Sequence, residues 1–254
     1  MAYLNVNQVT KYVKNKLLLD SVSFSIEKGT LNGLTGPSGS GKSTLVKAIA
    51  GIEHYTKGTI DLEDTALPNR KVLKRIGYMP QTFALFPDLS ADQHIKYFAG
   101  LYKLPRNKFL KRTNDLFEMV HLSDVIHQPV YTYSEDMKRR LSLILALFHT
   151  PSLAILDNPT TGLDISLKEI IWKEFRKLAS IGASLIIVTN ELEEAGYCDQ
   201  LLYLNNGKVM IQGTESDFIE MTGMNSLKES LIFLGSNEDG NESNSEETTY
   251  TNNT

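Results

Sequence analysis

Two periodicities alternate along this chain. Short apolar runs at residues 4–6, 21–26, 31–34, 59–62 and 75–79 read as β-strands, each bounded by polar or glycine-bearing stretches. Between about residues 88 and 150 no convincing strand occurs, and the pattern turns helical. Strands resume at 152–157 (SLAILD), 184–189 (SLIIVT), 201–205 (LLYLN) and 208–213 (KVMIQG). A helix over 165–180 separates the first two, and Asn206-Gly207 makes a hairpin turn between the last two. Strands that are apolar throughout are buried on both faces, which requires a mostly parallel sheet with crossover helices. The pattern therefore predicts an α/β protein with a three-layer core. The early strands form an antiparallel β subdomain, and the block at about 88–150 is an inserted α-helical subdomain.

Composition narrows the class without naming it. At 254 residues the chain can bury one large core, and its apolar and charged fractions are those of an ordinary globular protein. The longest strongly apolar run, residues 141–148, falls far short of the roughly 20 residues that span a bilayer. The first residues lack the apolar stretch of a secretory signal. A single cysteine, Cys198, excludes an internal disulfide framework and suits a reducing cytoplasm. The net charge of −4 is concentrated in the last 20 residues, which hold Glu238, Asp239, Glu242, Glu246 and Glu247 and no Lys or Arg. The expectation is a folded domain over 1–234 followed by an acidic, disordered tail over 235–254. Without that tail the chain is close to neutral, so no nucleic-acid partner is expected.

The sharpest chemical signal is GPSGSGKST at residues 36–44. Gly36, Gly41, Lys42 and Ser43 occupy the fixed positions of G-x-x-x-x-G-K-[ST], between the apolar run 31–34 and a helix-like stretch. Glycines let successive N–H groups turn inward around an anion, and the helix that follows points its positive end at it. Across Gly36, Pro37, Ser38, Gly39, Ser40, Gly41, Lys42, Ser43 and Thr44 the chain can cradle phosphates, with Lys42 as a point charge and the Ser43 hydroxyl as a ligand for Mg²⁺. Asp157, at the tip of a buried strand, can hold Mg²⁺ or its water beside Ser43.

The order of what surrounds this loop resembles the ATP-binding cassette of ABC transporters over essentially all of residues 3–220. The matching phrases are DSVSFSIEKG, GYMPQ, YSxxMKRRLSL, ILDxPTTGLD and LEEAGYCDQLLYLNNGKV. The YSxxMKRRLSL form is similar to cassettes that energise ABC-2-type exporters. The resemblance implies a P-loop NTPase core that binds ATP and Mg²⁺ between two cassettes, at the cytoplasmic face of the cell membrane as a peripheral subunit. Tyr12 would stack on adenine. Gln81 would reach the metal, joining Ser43 and Asp157, and link the site to a transmembrane permease subunit. Ser134 would contact the γ-phosphate held by the opposite cassette, and Asp164 would lie at the dimer seam. Residues 82–104, with Phe83, Phe86, Tyr97, Phe98 and Tyr102, would face the membrane partner or pack the helical subdomain.

Three positions depart from the family. Where it places the general base Glu this chain has Asn158, where it places a γ-phosphate-contacting His there is Asn190, and Ser-Gly-Gly becomes Ser134-Glu135-Asp136. Asn cannot accept a proton near neutral pH, and loss of a general base typically forfeits about 10²–10⁴ in rate. The two carboxylates add bulk and, if turned inward, repulsion towards phosphate. The expectation is a chain that binds Mg·ATP and hydrolyses it slowly or not at all. Because the defects lie on both faces, a heterodimer with a second, competent ABC cassette is favoured over a homodimer. A non-enzymatic regulatory subunit is the alternative. A soluble ABC protein of translation or DNA repair is a third reading, disfavoured by the single cassette and the lack of a basic surface.

Overall fold

The computed structural model describes residues 2–236, the side chains of 106–108 excepted. In chain order the elements are β1 (Leu4–Val13), β2 (Lys16–Ile26), β3 (Leu31–Thr35), α1 (Lys42–Ile49), β4 (Lys57–Leu62), β5 (Thr65–Ala66), α2 (Arg70–Leu73) and β6 (Ile76–Met79). The helical block follows as α3 (Ala91–Tyr102), α4 (Arg106–Met119) and α5 (Glu135–Leu147). The chain then returns through β7 (Leu153–Asp157), α6 (Ile165–Ser180), β8 (Ser184–Val188), α7 (Leu192–Ala195), β9 (Gln200–Asn205) and β10 (Lys208–Gly213), ending in α8 (Glu215–Thr222) and α9 (Leu227–Ser236).

Two sheets result. The smaller is antiparallel in the order β2-β1-β4-β5. The larger runs β10-β9-β3-β8-β7-β6 and is parallel except for the β9–β10 hairpin at its edge. Period two along the central strands sorts the core. Ile155, Ile186 and Val188 point to one face, packing with Leu45, Val46 and Ile49 of α1 and with Leu4, Val6 and Ile60 of the small sheet. Their neighbours Ala154, Leu156, Leu185 and Ile187 point to the other face, against Ile171 and Phe175 of α6 and the helical block. This is the three-layer α/β arrangement expected from the continuous apolar runs. Each central strand is buried over its whole length.

Differences from the sequence expectation lie at the edges. β1 extends to Val13 rather than stopping at Val6. Gln8 takes a left-handed φ of 48° there, and register shifts against β2 break the apolar alternation that marks a strand. Helices α8 and α9 were not expected, although Thr214 and Asp217 form a capping box at the start of α8. α9 takes in Gly235 and Ser236, the first two residues of the expected tail, while 237–254 lie outside the described residues. Among the described residues no helix is long and apolar enough to cross a membrane.

Candidate nucleotide site

In an open parallel sheet, ligands bind beyond the carboxyl ends of the strands. Here β3 ends at Thr35, the chain passes through residues 36–41, and α1 begins at Lys42 with Gly41 as its N-cap. No side chain caps α1, and its first turn holds no acid, so its N-terminal N–H groups keep no side-chain acceptor. Ser38, Gly39 and residues 41–44 line a cavity of about 350 Å³, together with Gln81, Asp157, Asn158 and Asn190. Gly36 and Pro37 line a smaller adjoining cavity of about 310 Å³ that shares Ser38 and Asn190 with the first. Ser40 faces inward: it is buried, and its hydroxyl has no hydrogen-bond partner.

The charged groups at the centre are closely coupled. Lys42 Nζ donates to the carbonyls of Gly36 at 2.6 Å and Pro37 at 2.7 Å. Burial pulls its pKa down, and the Asp157 charge acts against that shift. Ser43 Oγ donates to Asp157 Oδ2 at 3.0 Å, which spans the end of the intervening strand β8. Burial pushes the Asp157 carboxyl above the usual range, opposed by the Ser43 hydrogen bond and the charges of Lys42 and Lys47. A hydroxyl, a carboxylate and the Gln81 amide on one cavity are hard oxygen donors of the kind Mg²⁺ takes, leaving room for phosphate oxygens and water.

The direction of the Asp157 shift has a measurable consequence. Folding raises this pKa, so the stability tied to the group is present below the ordinary aspartate range and is lost as pH rises through the raised value. Asp157→Asn removes the disfavoured charge. The variant without nucleotide should therefore melt above wild type at neutral pH. The gain should shrink on acidification, and Mg²⁺-dependent nucleotide binding should be lost. A thermal melt at pH 7 showing no gain would contradict the assignment.

At the far end of the cavity Asn158 holds a left-handed φ of 54°, a conformation that Asn adopts more readily than most residues. Its side-chain amide donates to Asp157 Oδ1 at 3.1 Å, its N–H donates to Val188 O, and Arg139 Nη1 donates to its carbonyl at 2.7 Å. Ser134, Glu135, Asp136 and Asp164 do not line this cavity. Ser134 caps α5 by accepting from Met137 N–H, and Asp164 caps α6 by accepting from Leu167 N–H. Glu135 pairs with Lys138 and Asp136 with Arg140, so both carboxylates are drawn towards cations of their own helix. Tyr12 is exposed and pairs with Leu17, and it too lies outside the cavity lining. Lys16 and Leu18 of β2 line it instead. Nothing in local spacing pointed to them, because packing of β2 against α1 and β10, across the two sheets, brings them to the phosphate loop.

A second cavity, of about 490 Å³ and mostly apolar, lies between the helical block and the core. It is lined by Leu73, Tyr78, Leu85, Phe98 and Tyr102 among others. Pro80 and Thr82 face this cavity while Gln81, between them, lines the nucleotide cavity. Phe98 and Tyr102 pack on the core, whereas Phe86 and Tyr97 are exposed and meet edge to face at 5.4 Å.

A glycine-rich loop after a central parallel strand, with a buried carboxylate on a nearby strand end, defines a nucleotide-binding protein of the P-loop class. The sequence matches the ABC transporter family over residues 19–161, and the chain belongs to that family. Among curated relatives, it is 32% identical over 219 residues to the Nod factor export ATP-binding protein I of Ralstonia nicotianae, covering 85% of this chain and 68% of that protein. It is 30% identical to the linearmycin resistance ATP-binding protein LnrL of Bacillus subtilis, covering 92% and 76%. Among solved structures, an ATP-binding subunit of an ABC transporter superposes with a TM-score of 0.86 at 26% identity, covering 91% and 99%. The fold also matches an ATP-binding cassette solved as a dimer with ADP and Pi, with a TM-score of 0.75 at 24% identity over 83% and 98%. The chain is an ATP-binding subunit of the ABC transporter type.

Proposed function

We propose that this chain binds Mg·ATP at the seam of a cassette dimer, at the cytoplasmic face of a membrane, and drives or regulates an exporter permease with little hydrolysis of its own. One observation carries the reading: among the described residues Asp157 is the single carboxylate lining the cavity, where it is joined by the amides of Asn158 and Asn190, the residues that the family resemblance sets at the general-base and γ-phosphate-contacting positions. Residues 38–44 and Asp157 suit the holding of phosphate and metal, while among the described residues no further carboxylate and no imidazole lines the cavity to accept a proton from water. The names of the relatives, exporters among them, support the transport setting. The apolar groove at Tyr78, Leu85 and Tyr102 offers a permease segment a seat, with Phe86 and Tyr97 exposed on the same subdomain.

Defects on both faces favour a partner cassette that keeps its own Glu and His. The pairing of Glu135 and Asp136 with Lys138 and Arg140 tempers their repulsion, so that a nucleotide on such a partner meets bulk more than charge. The test is Mg·ATP binding and phosphate release by the purified chain, alone and with candidate partner cassettes, beside Lys42→Ala. Binding that is lost in Lys42→Ala, with phosphate release near background, is expected. Robust release by the chain alone, abolished by Lys42→Ala, would overturn the impaired-hydrolysis reading, and absence of ATP binding would overturn the whole.

A further inference from the structure

The segments leaving β7 and β8 diverge, one through residues 158–164 into α6, the other through 189–191 into α7. A buried side chain on α7 bridges them, beside the Asn158 N–H to Val188 O bond and the pairing of Lys168 on α6 with Glu191. Glu194 is 3% exposed, and its two carboxylate oxygens accept from different segments: Oε1 from Thr160 Oγ1, and Oε2 from Thr189 Oγ1 at 2.7 Å. Both hydroxyls are themselves buried, Thr160 at 0% and Thr189 at 1% exposure. Lys168, in the first turns of α6, places Nζ 3.8 Å from Oε1 and also pairs with Glu191.

The positions of these partners along the chain give the cluster its meaning. Thr160 stands two residues beyond Asn158, and Thr189 immediately precedes Asn190. Asp164, one turn before Lys168, caps the same helix. A buried carboxylate is costly unless its oxygens are satisfied, and packing alone would be met by an apolar side chain of similar volume. Here both hydroxyl partners belong to segments that carry a residue of the cavity lining, Asn158 in one and Asn190 in the other.

We infer that Glu194 is a positioning residue: by bridging Thr160 and Thr189 it sets the separation of positions 158 and 190, and so determines how the site distinguishes ATP from ADP. The inference rests on the Mg·ATP reading above. The phosphates that ATP and ADP share would rest on residues 36–44 and the N-terminus of α1, which Glu194 does not touch. Only the terminal phosphate would meet the segments that it holds.

The test is calorimetric titration of Mg·ATP and Mg·ADP, separately, into the full chain and three variants. Loss of one hydrogen bond to a charged phosphate lowers affinity by roughly tenfold. Glu194→Ala should therefore lower the ATP-over-ADP preference by about tenfold while leaving ADP affinity near wild type. Glu194→Gln, whose amide can still accept from one hydroxyl and donate to the other, should keep most of the preference. The double variant Thr160→Val/Thr189→Val removes the same bridge while Glu194 stays, and should reproduce the loss even if Glu194→Ala fails to fold. The inference is overturned if wild type binds both nucleotides equally. It is also overturned if the preference survives in the bridge-breaking variants, or if they lose ADP and ATP binding together. Wild type that binds neither nucleotide would instead overturn the Mg·ATP reading itself.

Discussion

Phosphate release by Asn158→Glu is expected to remain far below that of a cassette with an intact site, despite restoring the residue type the family uses as base. Three physical obstacles stand in the way. The position has a φ of 54°, where an ordinary L-residue costs about 1–2 kcal/mol and Asn is among the few that visit routinely. The Asn158 amide now donates to Asp157, so a carboxylate pointing the same way would set two anions against each other and raise the pKa of one of them. Finally, Asn190 and the Ser134-Glu135-Asp136 turn would be unchanged, so stabilisation of the terminal phosphate would still be missing. A base restored in full returns about 10²–10⁴ in rate, and the expectation is that most of this does not appear. Steady-state phosphate release decides the matter: full recovery from this one change would show that the other two departures are harmless. Combining it with Asn190→His, Glu135→Gly and Asp136→Gly should recover more than the single changes together, because groups acting on one transition state are not additive.

Gly36→Ala should be the most damaging single methyl in the phosphate loop. Gly36 has a φ of 141°, and a Cβ there would lie 2.0 Å from the carbonyl oxygen of Leu204 and 3.0 Å from its carbonyl carbon. The obstacle is the backbone of β9, which is hydrogen-bonded on both sides and cannot swing away like the end of a side chain. Backbone strain of this kind costs about 1–3 kcal/mol, and overpacking adds a similar amount. With roughly 2–4 °C per kcal/mol, a fall in Tm of about 10 °C follows, together with loss of ATP binding as the loop moves off its seat. Gly39→Ala is the matched control, because a Cβ there meets nothing within 4 Å and only the local strain of φ 82° remains. Equal melting of the two variants would contradict the close approach at Gly36.

What could be read from the chain in advance follows from how local each feature is. The phosphate loop was legible because its residues are contiguous, and β7 and β8 were legible because burial on both faces leaves an unbroken apolar run. The longer β1 was hidden by Gln8 and the register shifts that follow it. Lys16 and Leu18 were not legible because packing of the small sheet on α1 and β10, not sequence spacing, delivers them to the cavity. Tyr12 is not part of that lining, although its pairing partner Leu17 stands between two residues that are, a placement set by strand register and not by spacing to the next motif. Glu135 and Asp136 are a different case. Cations three and four residues on, Lys138 and Arg140, stand at helical contact spacing, so their pairing was readable and was passed over.

The alternation at residues 80–82 sets a length scale for communication within the molecule. Pro80 and Thr82 border the apolar groove, and the residue between them borders the nucleotide cavity. The two compartments are thus walled off from one another by a single thickness of main chain, with consecutive Cα atoms about 3.8 Å apart. Beyond this ribbon, the His94 imidazole accepts from Phe86 N–H and its other nitrogen meets Ser90 O, so the strip is anchored at its far end. Under the proposed function, an occupant of the groove would lean on the same peptide units that place Gln81 on the nucleotide cavity. Coupling between the groove and the nucleotide cavity would, under that same function, run through this partition and need no long relay.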